Sequence, residues 1–277
     1  MKVKRLFVLM LIALSIGFVS CKKDGASTTT GGGSNPINPT GAIAGLFSVS
    51  ESQQVFFSQG NLQYQASTNT WRLAGNQWDY IGNDNANISS SYSGWIDLFG
   101  WGTGNNPTNS STNSGDYGTF NDWGSNAISN GENTANVWRT LTHDEWAYVF
   151  NTRNTSSGIR YAKATVNGVN GVILLPDNWS SLNYSLSSGA SYDSNNISQS
   201  DWTNRLEANG AVFLPAAGCR YYGTLVDHVG SDGGYWSATY SDSDGACIVW
   251  FNDEDLVPDG WDNRRDGQSV RLVCSAE

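Results

Sequence analysis

The spacing of hydrophobic positions changes several times along the chain, and each change predicts a different kind of element. Residues 6–19 are apolar apart from Ser15, behind Lys2, Lys4 and Arg5. A basic head and a short apolar run predict a secretory signal over 1–20, and the run is shorter than the ~20 residues needed to span a bilayer. From 46 to 73 the pattern becomes short bulky runs separated by turn formers. It predicts a β-meander with strands at 46–49, 54–57, 61–64 and 70–73, and 77–81 reads as an extension of that sheet. Between 82 and 136 periodicity is lost. Asn, Ser, Gly and Asp predominate, and Tyr92, Trp95, Phe99, Trp101, Tyr117, Phe120 and Trp123 recur at intervals. A loop of this length is functional or is anchored by its own large side chains, and the spacing of the aromatics favours anchoring.

A helical period appears after Trp138. Thr142 is an N-cap, Glu145 completes a capping box, and Leu141 before the cap can staple onto Trp146. Trp146, Val149 and Phe150 form one buried stripe. Asp144 and Glu145 are accounted for by the helix dipole, and His143 falls on the solvated side. Residues 159–164 and 171–175 predict a strand pair joined around Asn167 and Gly168. A second short helix is expected near Ser200, with Trp202 and Leu206 facing inward and Gly210 at its end. A strand follows at 211–214. Tyr235 and Trp236 open a further framework strand, Ala246, Ile248, Val249 and Phe251 read as a strand core, and 267–273 closes the chain with Val270 and Leu272 on one face. Between 241 and 266 small, acidic and aromatic residues mix with little regard to period, which is the composition of a contact surface.

Composition narrows the functional classes. The net charge of −10 argues against a nucleic-acid partner, whose phosphates would be repelled. Residues 22–40 are rich in Gly, Ser, Thr and Pro and form a flexible tether. The chain thus divides into a signal at 1–20, a tether at 21–41, an N-terminal β-rich part at 42–134 and a ligand-binding part at 135–277. Phe18, Val19 and Ser20 before Cys21 resemble a bacterial lipobox, which implies lipidation of Cys21. Lys22, Lys23 and Asp24 are similar to surface-export signals of some Gram-negative lipoproteins. The expected location is the outer membrane, surface-exposed, with membrane contact through the lipid only. Three further cysteines remain, and a Cys219–Cys274 disulfide would clamp the loop-rich region, at ~4 kcal/mol in the chain-entropy model. Three free thiols are the alternative.

Three separated segments carry a family resemblance: FLPAAG at 213–218, GYWSAT at 234–239 and SVRLV at 269–273, with WRTLTHDEW at 138–146 upstream. Together they resemble the C-type-lectin-fold domains of bacterial lipoproteins, related to the formylglycine-generating-enzyme-like fold, to Fibrobacter major paralogous-type domains and to the variable proteins of diversity-generating retroelements. The resemblance implies an α+β chain with a C-type-lectin-like fold: an N-terminal β-meander, two short helices and a loop-rich C-terminal half.

Catalysis is not expected. Formylglycine-generating chemistry needs a pair of reactive cysteines, whereas Cys247 stands alone, and no Ser/His/Asp or His-rich constellation replaces it. His228 reads as a loop residue. No cofactor is expected, although Asp242, Asp244, Asp253, Glu254 and Asp255 could supply oxygen ligands to calcium; the sugar-binding Glu-Pro-Asn or Gln-Pro-Asp signature of C-type lectins is absent, and Asp242 to Gly245 also reads as an ordinary turn. The remaining class is a binding face made of Tyr240, Ser241, Asp242, Asp244, Cys247, Trp250, Asp253, Asp255, Asp259, Trp261, Asp262, Asn263 and Arg265. Tyr240, Trp250 and Trp261 are its expected aromatic anchors. The mixture of residue types resembles a face diversified by a retroelement; a fixed carbohydrate-binding or adhesion surface is the alternative. The partner is then a protein or glycan at a cell or phage surface.

Overall fold

The computed structural model describes residues 38–188 and 191–276, so the expected signal, Cys21 and most of the tether lie outside the described residues. The first strands form where the bulky runs predict them: β1 (Phe47–Ser48), β2 (Gln54–Phe57), β3 (Leu62–Gln65) and β4 (Thr70–Leu73). They do not make one meander. β2 pairs with β1 on one edge, and on the other edge it takes the last strand of the fold, with Phe56 opposite Cys274 and Phe57 opposite Val273. Both edges being filled, β3 is left to pair with β4 and with β5 (Trp95–Ile96) in a second sheet. Residues 77–81 do not extend either sheet. Gln77 is buried, and its amide oxygen accepts the Phe213 N–H at 2.8 Å while its amide nitrogen donates to Ala211 O at 3.2 Å, so one side chain substitutes for a strand partner.

The aromatic loop packs inward. Phe99, Trp101, Tyr117 and Trp123 are buried, and the buried Asp97 carboxylate accepts from the Ile81 N–H and the Asn85 amide, both at 2.8 Å. Burial pushes that carboxyl up to about 6 against those hydrogen bonds. Nine of the 12 tryptophans are buried. Trp95 is covered by the Arg72 guanidinium, 3.7 Å from its ring centre, which leaves Trp250 and Trp261 as the tryptophans free for surface contact.

Helix α1 (His143–Ala147) begins as its sequence dictates, with the Thr142–Glu145 capping box formed in both directions, and runs on into a π-type turn that buries Val149 and Phe150. The hairpin β6 (Tyr161–Val166) and β7 (Val169–Leu174) turns on Asn167 and Gly168, both left-handed at φ 50° and 81°, the conformation a type I′ turn requires. β8 (Asn196–Ile197) adds to its sheet. α2 (Gln199–Asp201), capped by Ser198, continues through Trp202–Leu206 to Gly210 at φ 87°, and β9 (Val212–Pro215) completes the order β8-β6-β7-β9. The ribbon β10 (Cys219–Tyr221) and β11 (Leu225–Asp227) precedes the long sheet β12 (Gly233–Tyr240), β13 (Gly245–Phe251) and β14 (Leu256–Asn263). β15 (Val273–Ser275) returns to β2. The expected closing strand over 267–273 is replaced by isolated bridges to Phe99, Arg220 and Tyr235, with Val270 and Leu272 still buried. The class is mainly β or α+β, with small sheets, short helices and irregular connections dominating.

Buried arginines tie these pieces together. The Arg271 guanidinium donates to Ser58 O, Phe213 O and Asn61 Oδ1 at 3.1, 2.5 and 3.2 Å, which joins the β2–β3 connection to β9. Desolvation lowers its pKa to about 10, so it stays charged at neutral pH.

The expected Cys219–Cys274 disulfide is not formed: Cys219, Cys247 and Cys274 are free thiols. Cys219 sits in the β10–β11 ribbon, 3.9 Å from Asp227 O, whereas Cys274 lies against β2, 3.8 Å from Phe56 O. The two belong to different sheets, so nearness to framework strands in sequence does not bring their sulfurs together.

Candidate functional site

Strand pairing decides which side chains of the C-terminal sheet can act together. Directly opposed residues share a face. Tyr235, Val249 and Phe251 point into the core that holds Trp146 and Phe150, so α1 packs on that face. Gly234, Trp236, Ala246, Ile248 and Trp250 point to the other. β14 lies at the sheet edge, and its register slips between Ile248 and Trp250, where Gly260 and Val257 are the partners. Pro258, with no N–H to offer a ladder, stands inside that bulge.

Over the face away from α1 opens a cavity of about 640 Å³. Gly234, Ile248, Trp250, Val257, Gly260 and Asp262 form its floor; Gly218, Cys219, Tyr221, His228, Asp232 and Gln268 line the rest, with Asp259 and Trp261 at the border. Two of the floor positions are glycines, and at one of them space requires it. A side chain at Gly234 would begin 1.9 Å from Gln268 Oε1, so the Gln268 amide occupies that space, and a methyl at Gly260 would meet Ile248 only at ordinary contact distance and fill cavity.

Asp262 is the electrostatic centre. Its Oδ1 accepts the Asn263 N–H at 2.8 Å, and its Oδ2 accepts from Gln268 Nε2 at 2.6 Å. Burial, and next the negative charge of Asp266, push its carboxyl up to about 6 despite those hydrogen bonds. Asp266 is also raised, chiefly by burial. Gln268 is 2 % exposed, and with its nitrogen committed to Asp262 its Oε1 has no hydrogen-bond partner among the described residues. Burial raises the Cys219 thiol to about 12, the Tyr221 hydroxyl beside it opposing the shift. That sulfur is a neutral wall atom at physiological pH.

The expected binding residues separate into groups. Trp250, Asp259, Trp261 and Asp262 meet at the cavity. The anchors Trp250 and Trp261 nonetheless lie on opposite faces: Trp261 pairs with Cys247 and packs over Gly245 on the α1 side, 64 % exposed. Cys247 shares that face, half-buried, and burial followed by the charge of Asp144 raises its thiol pKa. Tyr240, Ser241, Asp242 and Asp244 stand at the exposed turn between β12 and β13. There Asp242 Oδ1 accepts the N–H groups of Asp244 and Gly245 at 2.9 and 2.8 Å, which hold its carboxyl below the usual range. Asp253 and Asp255 belong to the β13–β14 turn, where Asn252 Oδ1 accepts the N–H groups of Glu254 and Asp255 and Asp253 Oδ1 accepts the Tyr192 N–H. Asn263 donates to Asp266, and Arg265 reaches towards Ser114. The acidic residues considered for calcium are therefore split between two turns, and among the described residues no group of three or more His, Cys, Asp or Glu side chains is gathered for a metal.

Sequence reasoning missed Gln268, Asp232, Tyr221 and the wall position of His228, and it put Cys219 to a different use. A glycine inside a strand signals close approach of another group, and Gly234 carries that signal in the primary sequence.

A family model described as a domain of unknown function, DUF8237, matches residues 181–273, a span that contains every residue bordering the cavity. No curated protein and no solved structure matches the chain.

Proposed function

We propose that the chain is a surface-anchored outer-membrane lipoprotein whose C-type-lectin-like domain binds a ligand non-covalently in the cavity above Gly234, Trp250 and Asp262. The observation that carries this reading is convergence. An aromatic floor and an ion-capable carboxylate, itself held by the buried Gln268 amide, meet in one open concavity, the usual composition of a ligand site. The order of elements supports the lectin-like comparison: two short helices between strand groups, a loop-rich stretch, and a last strand that returns to the second. The unactivated Cys219 thiol favours binding over covalent chemistry.

Diversification remains part of the proposal. Ser241, Asp242, Asp244, Asp253, Asp255, Asp259 and Trp261 are exposed on a framework whose Tyr235, Trp236, Ile248 and Val249 are buried, so their identities can change without disturbing the core. Glycan and protein arrays, with and without chelator, test the binding reading. Trp250→Ala is expected to abolish a binding signal that Trp261→Ala retains, both variants still unfolding cooperatively in urea. The reverse result would place the site on the α1 face and refute the assignment.

A further inference from the structure

Carboxylates are the main charged groups of the cavity, with the Tyr221 hydroxyl and the His228 ring as donors beside them. Asp232, Asp259 and Asp262 supply carboxylates, and Gln268 adds an amide oxygen that is fully buried and unpartnered among the described residues. Gln268 cannot turn to offer its nitrogen instead, because that nitrogen is held by Asp262 at 2.6 Å. Among the described residues no Lys or Arg lines the cavity, and His228 is its one basic side chain. Beneath these groups the Trp250 ring and the shallow Gly260 give an apolar surface.

A neutral sugar hydroxyl gains no ion pairing from these carboxylates. An ammonium has three donors and no acceptor, gains from carboxylates through charge-assisted hydrogen bonds, and gains again over an indole face. We infer that the cavity takes a primary alkylammonium group, its nitrogen at the Asp262 carboxylate and its methylenes along Trp250. This assignment rests on the cavity being the binding site, and it names the ligand class for that site. The chain's net charge of −10 favours the approach of such cations.

The test is a titration of the full-length chain followed by the indole N–H resonance of Trp250, assigned with Trp250→Phe. The probes are butylammonium chloride and the peptide acetyl-Gly-Lys-Gly-amide; sodium butyrate, 1-butanol, methyl glucoside and acetyl-Gly-Gln-Gly-amide are the comparators. Butylammonium is expected to shift the resonance and the comparators are not. Asp262→Asn is expected to weaken that binding at least about tenfold, whereas Asp84→Asn, an exposed acid elsewhere, leaves it unchanged. A peptide response matching butylammonium identifies a lysine side chain as a sufficient source; a response to butylammonium alone identifies a free amine. If methyl glucoside shifts Trp250 and butylammonium does not, the ammonium assignment is overturned while the cavity remains the binding site. If no probe shifts it, both are overturned. Equal weakening by Asp84→Asn would reduce the effect to general charge and overturn the assignment.

Discussion

Replacing Asp262 by Asn should stabilise the protein at neutral pH, although it removes a charged residue from the centre of the site. In the fold the Asp262 carboxyl titrates at about 6, against 3.8 for a free aspartate. A difference of that size penalises the ionised form by about 3 kcal/mol, and this is an upper figure because the side chain retains some solvent. The sign follows from linkage. A carboxyl raised by folding binds more protons in the native than in the unfolded state, so wild-type stability falls as pH rises from about 4 to about 6 and is level above that. Asn carries no charge to penalise. Its Oδ1 can keep the Asn263 N–H, and its Nδ2 faces Gln268, whose amide can then turn and give the unpartnered Oε1 a donor. Urea unfolding should therefore show Asp262→Asn more stable than wild type by about 1–3 kcal/mol at pH 7.5, or roughly 2–4 °C in Tm per kcal/mol. The gap should close to under about 1 kcal/mol at pH 4, where both side chains are neutral. Taking the difference between the proteins cancels the buried Asp97, which titrates in the same range. A variant no more stable than wild type at pH 7.5, or a gap that persists at pH 4, would refute the account.

Other outcomes follow from neighbouring contacts. Arg271→Ala leaves Ser58 O, Phe213 O and Asn61 Oδ1 buried without their donor and should destabilise by at least about 3 kcal/mol in urea; a loss under about 1 kcal/mol would mean water replaces the guanidinium. Gly234→Ala puts a methyl 1.9 Å from Gln268 Oε1, so it should cost about 1–3 kcal/mol and move the Gln268 side-chain resonances; an unmoved amide would contradict the placement. Peptide mapping after iodoacetamide treatment of the native chain should find Cys247 modified before Cys219 and Cys274, with no disulfide-linked peptide joining the last two.

The parts of the fold that could be read in advance are those written in adjacent residues. Thr142 and Glu145 specify the start of α1, Asn167 and Gly168 specify the β6–β7 turn, and the aromatics from Phe99 to Trp123 announced an anchored loop. Strand partners were not readable. Val55, Phe56 and Phe57 alternate as well for β3 as for β15, and what decides is that β15 returns from the far end of the chain to fill that edge. The expected contact stretch was read with both faces merged, because the side on which Trp261 emerges depends on the bulge beside Pro258. The partners of Asp262 that matter most, Gln268 and Asp266, looked like closing framework.

The sequence alone determined the caps, the tight turns, the acidic charge and the position of the contact-rich stretch, since each depends on the chemistry of a few consecutive residues. The tertiary structure alone decided which strand fills which edge, that the thiols of Cys219 and Cys274 stay apart, and that Trp250 and Asp262 share a cavity at whose border Trp261 packs over Gly245. Those outcomes depend on register between segments far apart in the chain, and one bulged residue is enough to exchange the faces of everything beyond it.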